Sequence, residues 1–145
     1  MSLIGVASAD SVWRGMEYYE DKMVASWNEA ADGTYDGVVE GSNGNSYVVH
    51  VDKIHPRKST CTCPFAEGRR VVCKHMIALY FTAEPKVAED FKKQVENWER
   101  EEEERAKQHY DDLRKYVNSL KKRELQIQLY DALVELEEIK NRRWY

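Results

Sequence analysis

The sequence predicts an α+β fold: a small antiparallel β-sheet joined to a helix, followed by a long α-helical hairpin. Three observations carry this. Between residues 23 and 63, short runs rich in β-branched and aromatic residues alternate with glycine and asparagine turns. An apolar block from Val72 to Phe81 then has the length and composition of a helix that closes near Pro85. Beyond Pro85 the chain contains neither glycine nor proline, and its apolar residues recur every three or four positions.

Each element follows from its own residues. Ser11 to Glu20 carries Trp13, Met16, Tyr18 and Tyr19, which suits one or two helical turns, with Gly15 weakening the case for more. Met23 to Trp27, Tyr35 to Gly41 and Tyr47 to Asp52 are strands, and the connectors Ala31-Asp32-Gly33 and Gly41 to Asn45 supply the residues that tolerate positive φ, so the three form a meander. Lys58 to Cys63 is a fourth extended piece that Pro64 terminates. In the tail, one stripe passes through Val87, Phe91, Val95, Trp98, Tyr110, Leu113, Val117 and Leu120, with polar residues at its centre. A second passes through Leu125, Leu129, Leu133 and Leu136, widened by Ile127, Tyr130 and Val134. Asn118-Ser119 is the one turn-favouring pair there, which places a bend near 118–121 between unequal helical arms. The run Glu99 to Arg105 is a solvated helix face. Two regions result: a domain over 1–84, whose core is about 35–82, and a helical hairpin, coiled-coil-like, over 85–145.

Composition sets bounds. The 145 residues are 42% hydrophobic and 33% charged, with 16 aromatics and a net charge of −4, which excludes a disordered chain and a strongly basic nucleic-acid binder. No apolar run approaches the roughly 20 residues of a membrane span, and the opening Met1 to Gly5 lacks the features of a secretion signal, so a cytoplasmic protein without membrane contact is expected. The charge is unevenly spread: residues 1–50 hold Arg14 and Lys22 against eight acidic side chains, whereas residues 51–83 hold Lys53, Arg57, Lys58, Arg69, Arg70 and Lys74 against Asp52 and Glu67.

That basic segment contains every cysteine of the chain. Cys61 and Cys63 are followed by Cys73 and His75 within fifteen residues. Three soft thiolates and one imidazole match the tetrahedral preference of structural zinc, and four protein ligands leave no position for a catalytic water. Residues i and i+2 of a strand project to one side, so Cys61 and Cys63 can face one ion while Thr62 faces away. In a helix that spacing diverges, so Cys73 is expected just before the first turn and His75 within it. The metal then pins strand to helix. His50, His55 and His109 lack paired spacing and read as surface or strand residues rather than ligands.

The order Cys61-Thr62-Cys63-Pro64, a loop, then Cys73-Lys74-His75-Met76-Ile77-Ala78-Leu79, preceded by Gly37 to Ser42 and Tyr47 to Val51, resembles the SWIM-type zinc finger over roughly residues 35–82. Arg14-Gly15, Tyr18-Tyr19 and Met23 to Ala25 are similar to the lead-in of prokaryotic members and extend the resemblance toward residue 11. The resemblance implies a ββα zinc unit that binds DNA or proteins, as found in transposase-like proteins and beside chromatin-remodelling helicases. All four ligands of the family pattern are present.

Function is expected to be non-enzymatic, since no carboxylate pair, phosphate loop or nucleophile triad is visible and no small-molecule substrate is indicated. The expected role is a protein-binding adaptor with one structural Zn²⁺, self-associating as a homodimer through 85–145. The alternative is a zinc-dependent nucleic-acid-binding module acting with a helicase or transposase, for which Lys53, Arg57, Lys58, Arg69, Arg70 and Lys74 are the candidate phosphate contacts. The same cations also serve to offset the negative charge of three thiolates around zinc.

Overall fold

The computed structural model describes residues 2–31 and 33–142; Asp32 of the first predicted turn and residues 143–145 of the predicted helical region lie outside the described residues. The elements are α1 (Leu3–Val6), α2 (Ala9–Glu20), β1 (Val24–Ala31), β2 (Thr34–Glu40), β3 (Ser46–Asp52), β4 (Thr60–Cys61), α3 (Lys74–Ala83), α4 (Pro85–Ser119) and α5 (Lys122–Arg142), with a 3-10 turn at Pro56–Lys58. The strands form one antiparallel sheet in the order β1-β2-β3-β4. Gly33 and Gly44 both take φ near +77°, which is why glycine stands in those two turns.

By its internal contacts the chain divides into two compact units, Met1–Gln94 and Val95–Tyr145. The first holds the core. Tyr35 and Val39 of β2 and Val49 and Val51 of β3 are buried on one face of the sheet, and α3 contributes a buried run from His75 to Phe81. Helix α2 packs beside α3. At Gly37 a Cβ would fall 2.9 Å from Leu79 Cδ1 and 2.7 Å from the Ser26 carbonyl oxygen, so the glycine lets α3 lie close over β2.

Four boundaries differ from expectation, each for a physical reason. Helix α2 runs twelve residues, not one or two turns: the Ser8 hydroxyl caps it by accepting the Ser11 N–H at 3.2 Å, and Gly15 is there for close packing against Ile77. Helix α1, a single turn, carries no signal in the sequence, although Leu3 is fully buried. Strand β1 continues through Asn28, Glu29, Ala30 and Ala31, held by pairing with β2 against weak intrinsic propensity. Finally, Pro85 does not end the first unit. Proline is favoured at a first helical position, so α4 begins there, and Ala88 and Phe91 return to the core, Phe91 against Trp13 (centroids 5.7 Å apart) and Phe81 (5.8 Å).

In the second unit, α4 breaks at Leu120-Lys121 and α5 follows, as the bend near 118–121 predicts. The Glu124 carboxylate accepts the Lys121 N–H at 2.7 Å, and the Leu120 N–H donates to the Val117 carbonyl at 3.2 Å. Every described residue of α5 is exposed.

Candidate metal centre

Strand β4 and the start of α3 bring the four donors together. Cys61 pairs with Val49 of β3, and the Thr62 N–H continues the ladder by donating to the Val48 carbonyl at 3.1 Å while its hydroxyl accepts the Val48 N–H at 3.0 Å. The alternation therefore holds: Cys61 and Cys63 are buried and Thr62 is exposed. Cys63 lies just past the strand, where its carbonyl accepts the N–H groups of Ala66 and Glu67 and opens the turn toward α3. Cys73 is the extended N-cap residue of α3, and His75 sits in its first turn. One donor atom from each of Cys61, Cys63, Cys73 and His75 lies within 4.8 Å of the others, and all four residues are buried. Among the described residues this is the one group with metal-binding geometry.

The distances fit zinc. His75 Nδ1 is 3.7 Å from Cys61 Sγ and 3.9 Å from Cys73 Sγ; the edge of a tetrahedron with zinc–sulfur and zinc–nitrogen bonds of ordinary length is about 3.6 Å. The donor chemistry suits a cation as well. Contact with Cys61 holds the Cys73 thiol down to about 4 against its burial, with His75 and the Met76 amide helping. The same contact and burial push Cys61 far up, and burial together with the Cys73 charge raises Cys63. Three buried thiols this close oppose one another's ionisation, and a dication would favour the thiolate form of all three.

Two aromatic rings fix the imidazole. Tyr47 lies tilted against His75 with centroids 4.7 Å apart, and Tyr18 meets it edge-on at 5.4 Å. Tyr18 is held in turn by the Ser42 N–H, which donates to its hydroxyl at 3.1 Å. His75 Nε2 is buried without a hydrogen-bond partner, so the ring is oriented by packing and not by a polar brace. Neither tyrosine carries a sequence signal for this role; Tyr18 reaches the ring because α2 packs beside α3, and Tyr47 because β3 packs against α3.

Residues 47–84 match the family model of the SWIM zinc finger, from the tyrosine that lies against His75 to the last residue before α4. The chain carries a SWIM zinc finger. The match takes in β3, β4, the loop and α3, with all four donors, while strand β2 and the lead-in near residues 11–25 lie outside it. A search of curated proteins and a search of solved structures each find no match.

Around the SWIM finger the predicted cations fall into three settings. Lys53 is tied up: its Nζ donates to Glu84 Oε1 at 2.5 Å and to the Tyr35 hydroxyl at 3.3 Å. Lys74 lies over the Tyr18 ring, 4.3 Å from its centroid, and lines a cavity of about 270 Å³ beside the finger with Arg14, Tyr47 and Phe65. Arg57, Lys58, Arg69 and Arg70 are exposed. Arg57 and Arg70 line one cavity of about 320 Å³, and Arg69 and Arg70 line a neighbouring one of similar size. Asp52 shapes the turn that carries Arg57 and Lys58, since its Oδ1 accepts the N–H groups of Ile54 at 2.9 Å and His55 at 2.7 Å. Those bonds, the His55 one foremost, hold its carboxyl below the usual range. His50 pairs with Asp36 at 2.6 Å and His55 with Asp52 at 3.4 Å; neither belongs to the metal cluster. No helix among the described residues is long and apolar enough to cross a membrane.

Proposed function

We propose that this protein is a non-enzymatic cytoplasmic adaptor, in which a zinc-folded SWIM finger carries a pair of C-terminal helices that self-associate and so present the finger in more than one copy. The observation that carries this reading is the exposed apolar surface of the second unit: Trp98, Tyr110, Leu113, Leu129, Leu133, Leu136 and Ile139 are each between 45% and 66% exposed, and large apolar side chains gathered on the surface mark a place where a partner docks. A structural role for zinc supports the non-enzymatic part, because four protein ligands fill its tetrahedral sphere. Sedimentation equilibrium tests the reading. The full chain should be dimeric or larger, and charged residues at Leu129 and Leu136 should make it monomeric; a monomeric full chain at tens of micromolar would count against it.

A second reading has one observation in its favour. Arg57, Arg69 and Arg70 line adjoining cavities beside β4, a group of exposed cations of the kind that contacts phosphates of a nucleic acid. In that reading the finger binds nucleic acid and Lys53 and Lys74 are structural.

A further inference from the structure

Past Gln94, α4 and α5 scarcely touch, yet four of their apolar positions are matched. Ala106, Tyr110, Leu113 and Val117 of α4, with Leu120 just past its end, follow one another at spacings of four, three, four and three, and Leu125, Leu129, Ala132, Leu136 and Ile139 of α5 do the same. That alternation is the seam of a coiled coil. Laid antiparallel, the two seams make layers in which Val117 meets Leu125, Leu113 meets Leu129, Tyr110 meets Ala132 and Ala106 meets Leu136. Each alanine thus falls opposite a large side chain, which is how facing helices interdigitate at native density. The flanks agree with this register: His109 would face Glu135, and Glu102 would face Arg142. Arg100 and Lys140 form the one like-charged pair, at the open end where both stay in water.

The two seams do not meet within one chain. Only Leu120 and Lys121 separate the helices, and both are committed, Leu120 to the last turn of α4 and Lys121 to the cap of α5. A short connection whose residues are both committed favours exchange of the arms between copies of the chain. We propose that the occupant of the α4 seam is α5 of a second copy of this chain, antiparallel and reciprocal, giving a two-fold four-helix dimer with Leu113 opposite Leu129 of the partner chain. This rests on the self-association reading above and specifies which face meets which.

The test uses two full-length variants, Leu113→Lys and Leu129→Glu, prepared separately and then mixed. Each alone places a charge twice in the dimer seam, so each should dissociate at least tenfold more readily than the wild type in sedimentation equilibrium. Mixed at equal concentration they should recover association as a heterodimer, because one layer then pairs the introduced lysine with the introduced glutamate and the other is wild type. Unchanged zinc content in each variant controls for folding of the finger. A dimeric wild type whose mixed variants stay monomeric overturns this pairing and leaves self-association standing. A monomeric wild type overturns both, and if the Leu113→Lys/Leu129→Glu double variant then regains the helicity that each single variant loses, the seams meet within one chain.

Discussion

Gly15 of α2 and Ile77 of α3 lie so close that a Cβ on the glycine would fall 2.4 Å from Ile77 Cγ2 and 3.0 Å from the Lys74 carbonyl oxygen. The crossing brings Tyr18, one turn further along α2, against His75. Gly15→Ala sets two effects against each other. Helix propensity favours alanine by about 1 kcal/mol, whereas forcing a methyl into a filled helix–helix contact costs about 1–3 kcal/mol. Because one of the close atoms is backbone, packing should win, and thermal unfolding should show a lower Tm for Gly15→Ala. An equal or higher Tm would mean that the two helices have room to part.

Glu84, at the junction of α3 and α4, should make the fold sensitive to acid. Its carboxylate accepts from Lys53 and from the Tyr35 hydroxyl, and Lys53 foremost holds its pKa below the ordinary value. A carboxyl depressed in the folded state contributes stability above its unfolded pKa, near 4.3, and loses it as pH falls through the folded value. The side chains of Glu84 and Lys53 are 28% and 37% exposed, so solvent screening keeps the contribution to about 1 kcal/mol. Denaturant unfolding of Glu84→Gln at pH 7 and pH 3 should show that loss at pH 7 and a shallower decline with acid than the wild type. Parallel pH profiles would contradict it.

Much of this was legible beforehand, and the reason differs by element. The ligands are legible because Cys61-x-Cys63 and Cys73-x-His75 encode their chemistry in spacing, and the hairpin turns because Gly33 and Gly44 need positive φ. Gly15 weighed against a long α2 because a glycine's local cost shows in sequence while the neighbour that requires it, Ile77, is 62 positions away along the chain. The same limit applies to Lys53, counted with the exposed cations until Glu84 and Tyr35 are seen beside it.

The basic cavities yield a prediction that separates the two functional readings. Arg57→Glu, Arg69→Glu and Arg70→Glu together should leave self-association unchanged. Fluorescence anisotropy with a generic DNA duplex at physiological salt should show weak or no binding by the wild type. Submicromolar binding that weakens steeply with salt and vanishes in the triple variant would favour the nucleic-acid reading.

Replacing one zinc ligand should unfold the finger and not merely weaken it. Structural zinc contributes about 10–16 kcal/mol in small fingers, which matches or exceeds the total stability of about 5–15 kcal/mol of an ordinary domain. Cys73→Ser should therefore lose native amide dispersion across residues 47–84, while the exposed helices of the second unit keep their helical signal. Native dispersion throughout the variant would contradict this.

The most direct test of the zinc-folded account is the metal content of the full chain purified without chelator, followed through its removal. One zinc per chain is expected, bound by Cys61, Cys63, Cys73 and His75, and a strong chelator should release it together with cooperative loss of the sheet and of α3. A chain that contains no zinc, and whose folded spectrum is indifferent to both chelator and added zinc, would contradict the account at its centre.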